Sequence, residues 1–279
     1  MRPINKLAAR LIRAAGDSIA RRGHRQGRLV IINHHRILAA PDPLLDAEPD
    51  LASCRWQMEL LAKCFNVLPL HAALESLHSG GMPPRAVCIT FDDGYRSTHD
   101  LALPVRRELG LPATVFVTTG YLDQGSMWND RILEAVRRVS DDAVDLRGTG
   151  WGLHPVRDLA ERKETIERLI EIAKYLPPSE RQDLTLRLEA SAGCGEGSKV
   201  LMLTAEMVRT LSREGIAIGA HTVSHPILTR LEDEQARLEI EESKRQLEAI
   251  TGERVRFFAY PNGKSISTSA TSDGQAGGV

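Results

Sequence analysis

Two adjacent carboxylates, Asp92 and Asp93, follow an apolar run at residues 86–89 and stand directly before Gly94. Such a run predicts a buried strand, and the glycine predicts a turn after it. Successive strand side chains point in opposite directions unless the backbone turns, so acids at a strand end can be aimed at one site. The pattern favours a metal ligand beside a general base. It also fits an ordinary acidic turn, because Asp-Gly is a common turn pair.

Two histidines four residues apart, His221 and His225, follow a second apolar run at residues 216–220. A zinc-protease helix would carry glutamate in the position of Thr222, and Pro226 follows the pair, so a loop at a strand end is favoured over a helix. Two neutral imidazoles and one carboxylate can hold a catalytic divalent metal and leave positions for water. Taken alone, the histidine pair also fits a purely structural role.

The composition of the chain limits its class. Its 279 residues, 42% hydrophobic, suffice for one large α/β domain or two small ones, and a net charge of -1 argues against nucleic acid as a partner. The sequence shows no apolar run long enough for a signal peptide or a transmembrane segment. Four cysteines show no zinc or redox spacing, which predicts reduced thiols and a cytoplasmic chain. They are Cys54, Cys64, Cys88 and Cys194.

Strand and helix patterns alternate along the chain, which predicts a parallel α/β sheet. The predicted strands are residues 28–33, 66–70, 86–89, 113–118, 216–220 and 255–260. The predicted helices between them are residues 51–65, 71–78, 97–109 and 204–213, with a further helix that ends near residue 250. The acid pair, the histidine pair and the turn that contains Asn262 all follow strands. In parallel α/β folds the catalytic groups gather at that edge of the sheet.

Three segments depart from this alternation. Residues 1–27 form a basic amphipathic pattern, which predicts a surface helix and leaves peripheral membrane association open. Residues 121–200 predict a helical insertion without strands, which either shapes substrate access or is a solvated decoration. Within it, residues 141–153 are predicted as a polar connection. Residues 264–279 are of low complexity and are predicted to be disordered.

The sequence resembles the polysaccharide deacetylases, also called the NodB homology domain, a group of carbohydrate esterases. Residues 90–95, Thr-Phe-Asp-Asp-Gly-Tyr, match the first motif of that family, and residues 221–225, His-Thr-Val-Ser-His, match its second. Residues 258–263 look like a variant of the third motif. The resemblance covers roughly residues 29–263 and implies a polysaccharide deacetylase domain over residues 28–263.

The resemblance implies an α/β fold of the distorted, incomplete (β/α) barrel type with a helical insertion. It implies metal-dependent removal of N-acetyl groups from an oligo- or polysaccharide, hydrolysis of a carbon–nitrogen bond that is not a peptide bond. The implied ligands of a divalent metal, usually Zn²⁺, are Asp93, His221 and His225. Asp92 is implied as the general base. Thr222 would steady the histidine loop, and the backbone N–H of Asn262 would stabilise the oxyanion.

Two departures from the family pattern leave alternatives open. The arginine that the family often places two residues before the proline of its third motif is replaced by Ala259. The last strands of the family and its late histidine, the general acid, have no counterpart, since no histidine follows His225. His34 or His35 could substitute as the acid. The alternatives are a truncated, catalytically impaired metal-binding homologue and a hydrolase of another amide. The sequence leaves the oligomeric state open.

Overall fold

A parallel sheet at the centre of the molecule positions the strand ends that carry the candidate residues. The computed structural model describes residues 6–22, 28–193 and 200–262. Five strands form the sheet in the order β1-β3-β4-β7, with β2 also paired to β3, and all of its pairings are parallel. The strands of the described residues are β1 (Leu29–His34), β2 (Asn66–Val67), β3 (Ala86–Phe91), β4 (Thr114–Val117), β5 (Ala143–Leu146), β6 (Gly152–Pro155) and β7 (Ala217–Ala220).

Helices connect the strands, as the alternating pattern predicts. Those of the described residues are α1 (Lys6–Arg22), α2 (Leu51–Cys64), α3 (Leu70–Ser79), α4 (Leu103–Leu109), α5 (Trp128–Arg138), α6 (Leu159–Tyr175), α7 (Pro178–Ser191), α8 (Ala205–Arg213) and α9 (Asp233–Thr251). Within this part of the chain, β1 and β7 end the sheet without pairing to each other. The predicted α/β fold with a parallel sheet is therefore confirmed, and the described strands form no closed barrel.

Strand β3 is the central element, and all six of its residues are buried. Val87, Ile89 and Phe91 pack into the main core, with Val115 and Val117 of β4 beside them. A strand covered on both faces needs apolar side chains at every position rather than at alternate ones. This requirement explains why the acids come only after the strand ends.

The insertion has a core of its own and contains strands that the sequence did not predict. The buried residues that α5, α6 and α7 share include Ile132, Leu169 and Leu184. Residues 141–153 do not form a polar connection, because β5 and β6 pair there as an antiparallel hairpin. Val144 and Leu146 of β5 are buried in the insertion core. Each strand is only four residues long, too short to give a clear alternation in the sequence.

Residues 255–260 do not form the predicted last strand. A single parallel bridge joins Ala220 to Phe258, with hydrogen bonds from Ala220 N–H to Phe257 and from Ala259 N–H to Ala220. The ladder cannot continue because β7 ends at Ala220, where the backbone turns into the histidine loop. These bonds nevertheless hold the segment against β7, so the Ala259 carbonyl lies beside His221.

Helix α1 lies within the segment that the sequence predicts as an N-terminal surface helix. Arg85 pairs with Asp17 at 2.7 Å and so ties α1 to the residue before β3. Leu7 and Leu11 are 67% and 63% exposed. None of the described helices is long and apolar enough to cross a membrane.

Three of the four cysteines can be assigned. They are free and buried: Cys54, Cys64 and Cys88. The expectation of reduced thiols stays a prediction. Cys194, the ends of the predicted N-terminal segment and the predicted disordered tail lie outside the described residues.

Candidate metal site

Asp93, His221 and His225 meet at the carboxyl ends of β3 and β7. Asp93 Oδ1 lies 3.4 Å from His221 Nε2 and 3.2 Å from His225 Nε2. One potential ligand atom from each of the three residues lies within 4.8 Å of the other two. Strand β4 lies between β3 and β7 and links the two strand ends through its own carboxyl end. Thr118 N–H donates to the Asp93 carbonyl, and His221 N–H donates to the Val117 carbonyl.

The backbone is unusual at this site. Six non-glycine residues of the described chain have positive φ, and four of them are candidate site residues: Asp93 at 71°, Thr222 at 67°, His225 at 56° and Asn262 at 55°. The left-handed region is disfavoured for side chains with a Cβ, most of all for a β-branched one. Such conformations cluster where a functional geometry is held by its surroundings. At Asp93 and His225 the turned backbone thus brings the two side chains together.

The ligand atoms suit a tetrahedral metal. Zn²⁺ holds nitrogen and oxygen ligands at about 2.0–2.2 Å, which places such atoms about 3.3–3.5 Å apart. His221 Nδ1 lies 2.9 Å from the Ala259 carbonyl, which can only accept, so Nδ1 carries the proton and Nε2 presents its lone pair. Asp93 Oδ1 and His225 Nδ1 are buried without a hydrogen-bond partner. Together these features fit a metal-binding triad.

The electrostatics of the triad keep the carboxylate charged. Burial alone would raise the pKa of Asp93, but the imidazoles of His221 and His225 hold that pKa well below its usual range. Burial would also lower the pKa of His221, yet the Asp93 carboxylate outweighs it and raises that pKa above its usual value. A divalent cation bound between these groups would likewise compensate the buried negative charge of Asp93.

Asp92 lies beside the triad in an environment that the sequence did not reveal. Its Oδ2 accepts a hydrogen bond from Asn33 Nδ2 at 2.8 Å, and Asn33 Oδ1 accepts one from the Thr90 hydroxyl at 2.9 Å. Burial raises the pKa of Asp92, while His221 and Asn33 lower it in part. Asn33 therefore orients this carboxylate from β1. In the sequence, the only sign that Asn33 could take part in the site is its position near the end of a predicted strand.

Thr222 joins the two histidines through hydrogen bonds to their backbones. Its hydroxyl donates to the His221 carbonyl and accepts the N–H of His225 at 3.1 Å. The side chain is fully buried. Both bonds are local to the loop, so the hydroxyl holds its curved shape.

The remaining predicted site residues, His34, His35 and Asn262, differ in solvent exposure and in their contacts. His34 is 7% exposed, and its ring packs on Phe91 with centroids 5.3 Å apart. His35 is exposed, and its charge lowers the pKa of Asp92, which places it within electrostatic reach of the triad. Asn262 lies in a turn three residues after Ala259, and among the described residues no hydrogen bond joins it to the three ligands.

A buried polar network adjoins the site and was missed by the sequence reasoning. Asp130 of α5 is 1% exposed and accepts hydrogen bonds from Arg36 at 2.7 Å and from the Tyr95 hydroxyl at 3.1 Å. Burial raises the pKa of Asp130 to about 6, although Arg36 opposes that rise. Tyr95 comes two residues after Asp93, so its hydrogen bond to Asp130 ties helix α5 of the insertion to the turn that carries Asp92 and Asp93. No sequence pattern pairs residues so far apart.

The family of the chain follows from comparison with known sequences. The family described as polysaccharide deacetylase matches residues 79–176 and 188–277, about two thirds of the sequence. The chain belongs to the polysaccharide deacetylase family. The earlier resemblance is thereby confirmed, and Asp92, Asp93, His221 and His225 lie within the matched residues. No curated protein matches this deacetylase-family chain in a direct comparison.

Solved structures support the fold of this deacetylase-family member. The chain is similar to the Streptococcus pyogenes deacetylase PplD, solved in complex with acetate, with a TM-score of 0.52 and 16% identity over 86% of this chain and 76% of that one. It is also similar to IcaB from Ammonifex degensii, with a TM-score of 0.51 and 18% identity over the same shares. At such identities the likeness establishes the fold alone.

Proposed function

We propose that this protein is a metal-dependent deacetylase that removes N-acetyl groups from a glycan. Asp93, His221 and His225 would hold the metal, for which Zn²⁺ is the best candidate. The observation that carries the proposal is the convergence of three ligand atoms in a member of this family. Asp93 Oδ1 lies 3.4 and 3.2 Å from the Nε2 atoms of His221 and His225, and the His221 Nδ1–carbonyl contact leaves its Nε2 for a metal.

The chemistry of the reaction assigns a role to each neighbouring group. An acetamide carbonyl is a weak electrophile, and a bound divalent cation supplies Lewis acidity and lowers the pKa of water. Asp92 would take the proton of the attacking water, and Asn33 would hold its carboxylate in place. The N–H of Asn262 would donate to the negative oxygen that forms on the attacked carbon.

We assign the return of the proton to His35 rather than to His34. The leaving amine must be protonated by a neighbouring acid. His35 is exposed at the end of β1 and within electrostatic reach of Asp92. Burial and the neighbouring His35 lower the pKa of His34, which disfavours the imidazolium form that a general acid requires.

Acetate release from N-acetylglucosamine oligomers, with added Zn²⁺ and with a chelator, tests the proposal. We expect release only with metal, and loss of release in Asp92→Asn with the metal content unchanged. Asp100→Asn is the matched control, since that exposed carboxylate pairs with Arg96 on the surface. Stoichiometric zinc without acetate release would favour the impaired homologue, and release from other amides alone would favour a different C–N hydrolase.

A further inference from the structure

The carboxylate of Glu239, on α9, accepts three hydrogen bonds from the loop between the two histidines. Its Oε2 receives the N–H of Val223 at 2.7 Å and that of Ser224 at 2.9 Å, and its Oε1 receives the Ser224 hydroxyl at 2.5 Å. Bonds to a charged acceptor are about twice as strong as neutral ones. Val223 and Ser224 stand midway between His221 and His225, so Glu239 holds the centre of the loop.

The segment after β4 holds the same loop from another side. Thr119 N–H donates to the Thr222 carbonyl at 3.1 Å, and Gly120 N–H donates to the Val223 carbonyl at 2.8 Å. A Cβ on Gly120 would lie 2.6 Å from the Val223 oxygen, so only glycine permits this approach. Thus Glu239 binds the loop's N–H groups while the Thr119–Gly120 backbone binds its carbonyl groups.

The loop needs such support because its own conformation is unfavourable. Thr222 and His225 both have left-handed φ, and only the Thr222 hydroxyl bridges them from within. We propose that Glu239 is a positioning residue that preorganises His221 and His225 for metal binding. The inference rests on the proposed metal-dependent function, but its structural part, the restraint of residues 222–225, can be measured without metal.

Other acids of α9 are used differently and supply controls. Glu234, Glu241 and Glu242 pair with arginines of their own helix at 2.5–2.7 Å, and the side chains of Glu234 and Glu241 are exposed while that of Glu242 is half-buried. Glu239 is half-buried and reaches another element. Glu242→Ala therefore removes a carboxylate from the same helix without touching the loop. Glu239→Gln keeps the shape and one strong acceptor, and its amide N–H₂ can donate to the Ser224 hydroxyl.

Amide hydrogen exchange of the metal-free protein tests the restraint. In Glu239→Ala, the amides of Val223 and Ser224 should exchange at least about tenfold faster, since bonds to a charged acceptor are lost. Glu239→Gln should restore most of the protection, and Glu242→Ala should resemble wild type. Unchanged exchange in Glu239→Ala would overturn the proposal. If that variant does not fold, Ser224→Ala decides, because it removes one of the three bonds to Glu239. An intermediate gain in exchange at residues 223–224 is expected, and no gain would count against the proposal.

Zinc titration by calorimetry tests the consequence for the metal. Removing a group that orients metal ligands typically weakens affinity about 10–100-fold, and we expect this for Glu239→Ala, with near-normal affinity in Glu239→Gln and Glu242→Ala. Equal affinity in Glu239→Ala and Glu242→Ala would contradict the positioning role. If wild type binds no zinc, the proposed function fails, while the exchange experiment still decides whether Glu239 holds the loop.

Discussion

Arg36 and Asp130 form an ion pair of 2.7 Å between residues 94 positions apart. The Asp130 side chain is 1% exposed and that of Arg36 13%, so both charges are largely withdrawn from water. Arg36 follows β1, and Asp130 belongs to the first helix of the insertion. The pair therefore fixes the insertion to the edge of the sheet where the candidate metal site lies.

Breaking this pair should destabilise the fold. Asp130→Ala leaves the Arg36 charge buried without its partner, and we expect the free energy of unfolding to fall by about 3–5 kcal/mol in urea titrations. The double variant Arg36→Met, Asp130→Leu should lose less than the single one, because no charge stays unpaired. Glu108→Ala, which breaks an exposed pair with Arg55, is the control and should change stability by about 1 kcal/mol or less. Similar losses for both pairs would contradict the burial argument.

Removing a triad member should abolish metal binding. Asp93→Ala takes away the anionic ligand and His221→Ala one of the two imidazoles, so two ligands remain for an ion that binds through three protein groups. We expect the metal content after dialysis to fall from about one zinc per chain to near zero in either variant. Zinc retained at the wild-type level by both would refute the assignment. Asp92→Asn is the comparison, since it should retain the ion.

Loss of Asn33 should shift the pH profile of the reaction. The Asn33 hydrogen bond lowers the pKa of Asp92, so Asn33→Ala raises that pKa further above its usual value. Because the base acts as carboxylate, activity is lost as the pH falls through this pKa, and a higher pKa moves the loss to higher pH. The acid limb of kcat/KM against pH is the measurement. Asn66→Ala, which removes a surface bond to the Pro84 carbonyl, should leave the limb unmoved.

The residues at strand ends were predictable, and their supporting partners were not. Asp93 and His221 follow apolar runs, and parallel strands bring such ends to one edge whatever the details of packing. Asn33 and Glu239 act through partners that are 59 and 15–16 residues away, and only the folded chain reveals which carboxylate or N–H each one meets.

The errors in the secondary structure have a similar cause. Strands β5 and β6 form because Val144 and Leu146 pack on the helices of the insertion, which outweighs the polar character of the local sequence. Residues 255–260 have the apolar pattern of a strand, but β7 ends at Ala220 and offers them only one bridge. In both places tertiary contacts determine the structure, and a short window of sequence does not contain them.

Burial of His34 should make the metal-free protein less stable in mild acid. Burial and the charge of His35 lower the pKa of His34 in the folded state below the ordinary value of 6.5. Below that value the unfolded chain binds the proton and the folded one does not, so the free energy of unfolding decreases as the pH falls. The raised pKa of His221 acts in the opposite direction, and for this reason the test compares variants rather than absolute slopes.

Urea titrations from pH 7.5 to 5.5 in the presence of a chelator measure this effect. His34→Gln removes the titrating group at similar size, so its free energy of unfolding should decrease less over this range than that of wild type. His154, a buried histidine of the insertion whose pKa is also lowered by burial, provides an independent comparison. His154→Gln alone should also weaken the dependence of the free energy of unfolding on pH. The double variant should weaken it more than either single variant. If the free energy of unfolding of His34→Gln falls with pH as steeply as that of wild type, His34 binds protons equally in the folded and unfolded states. That outcome would contradict the prediction.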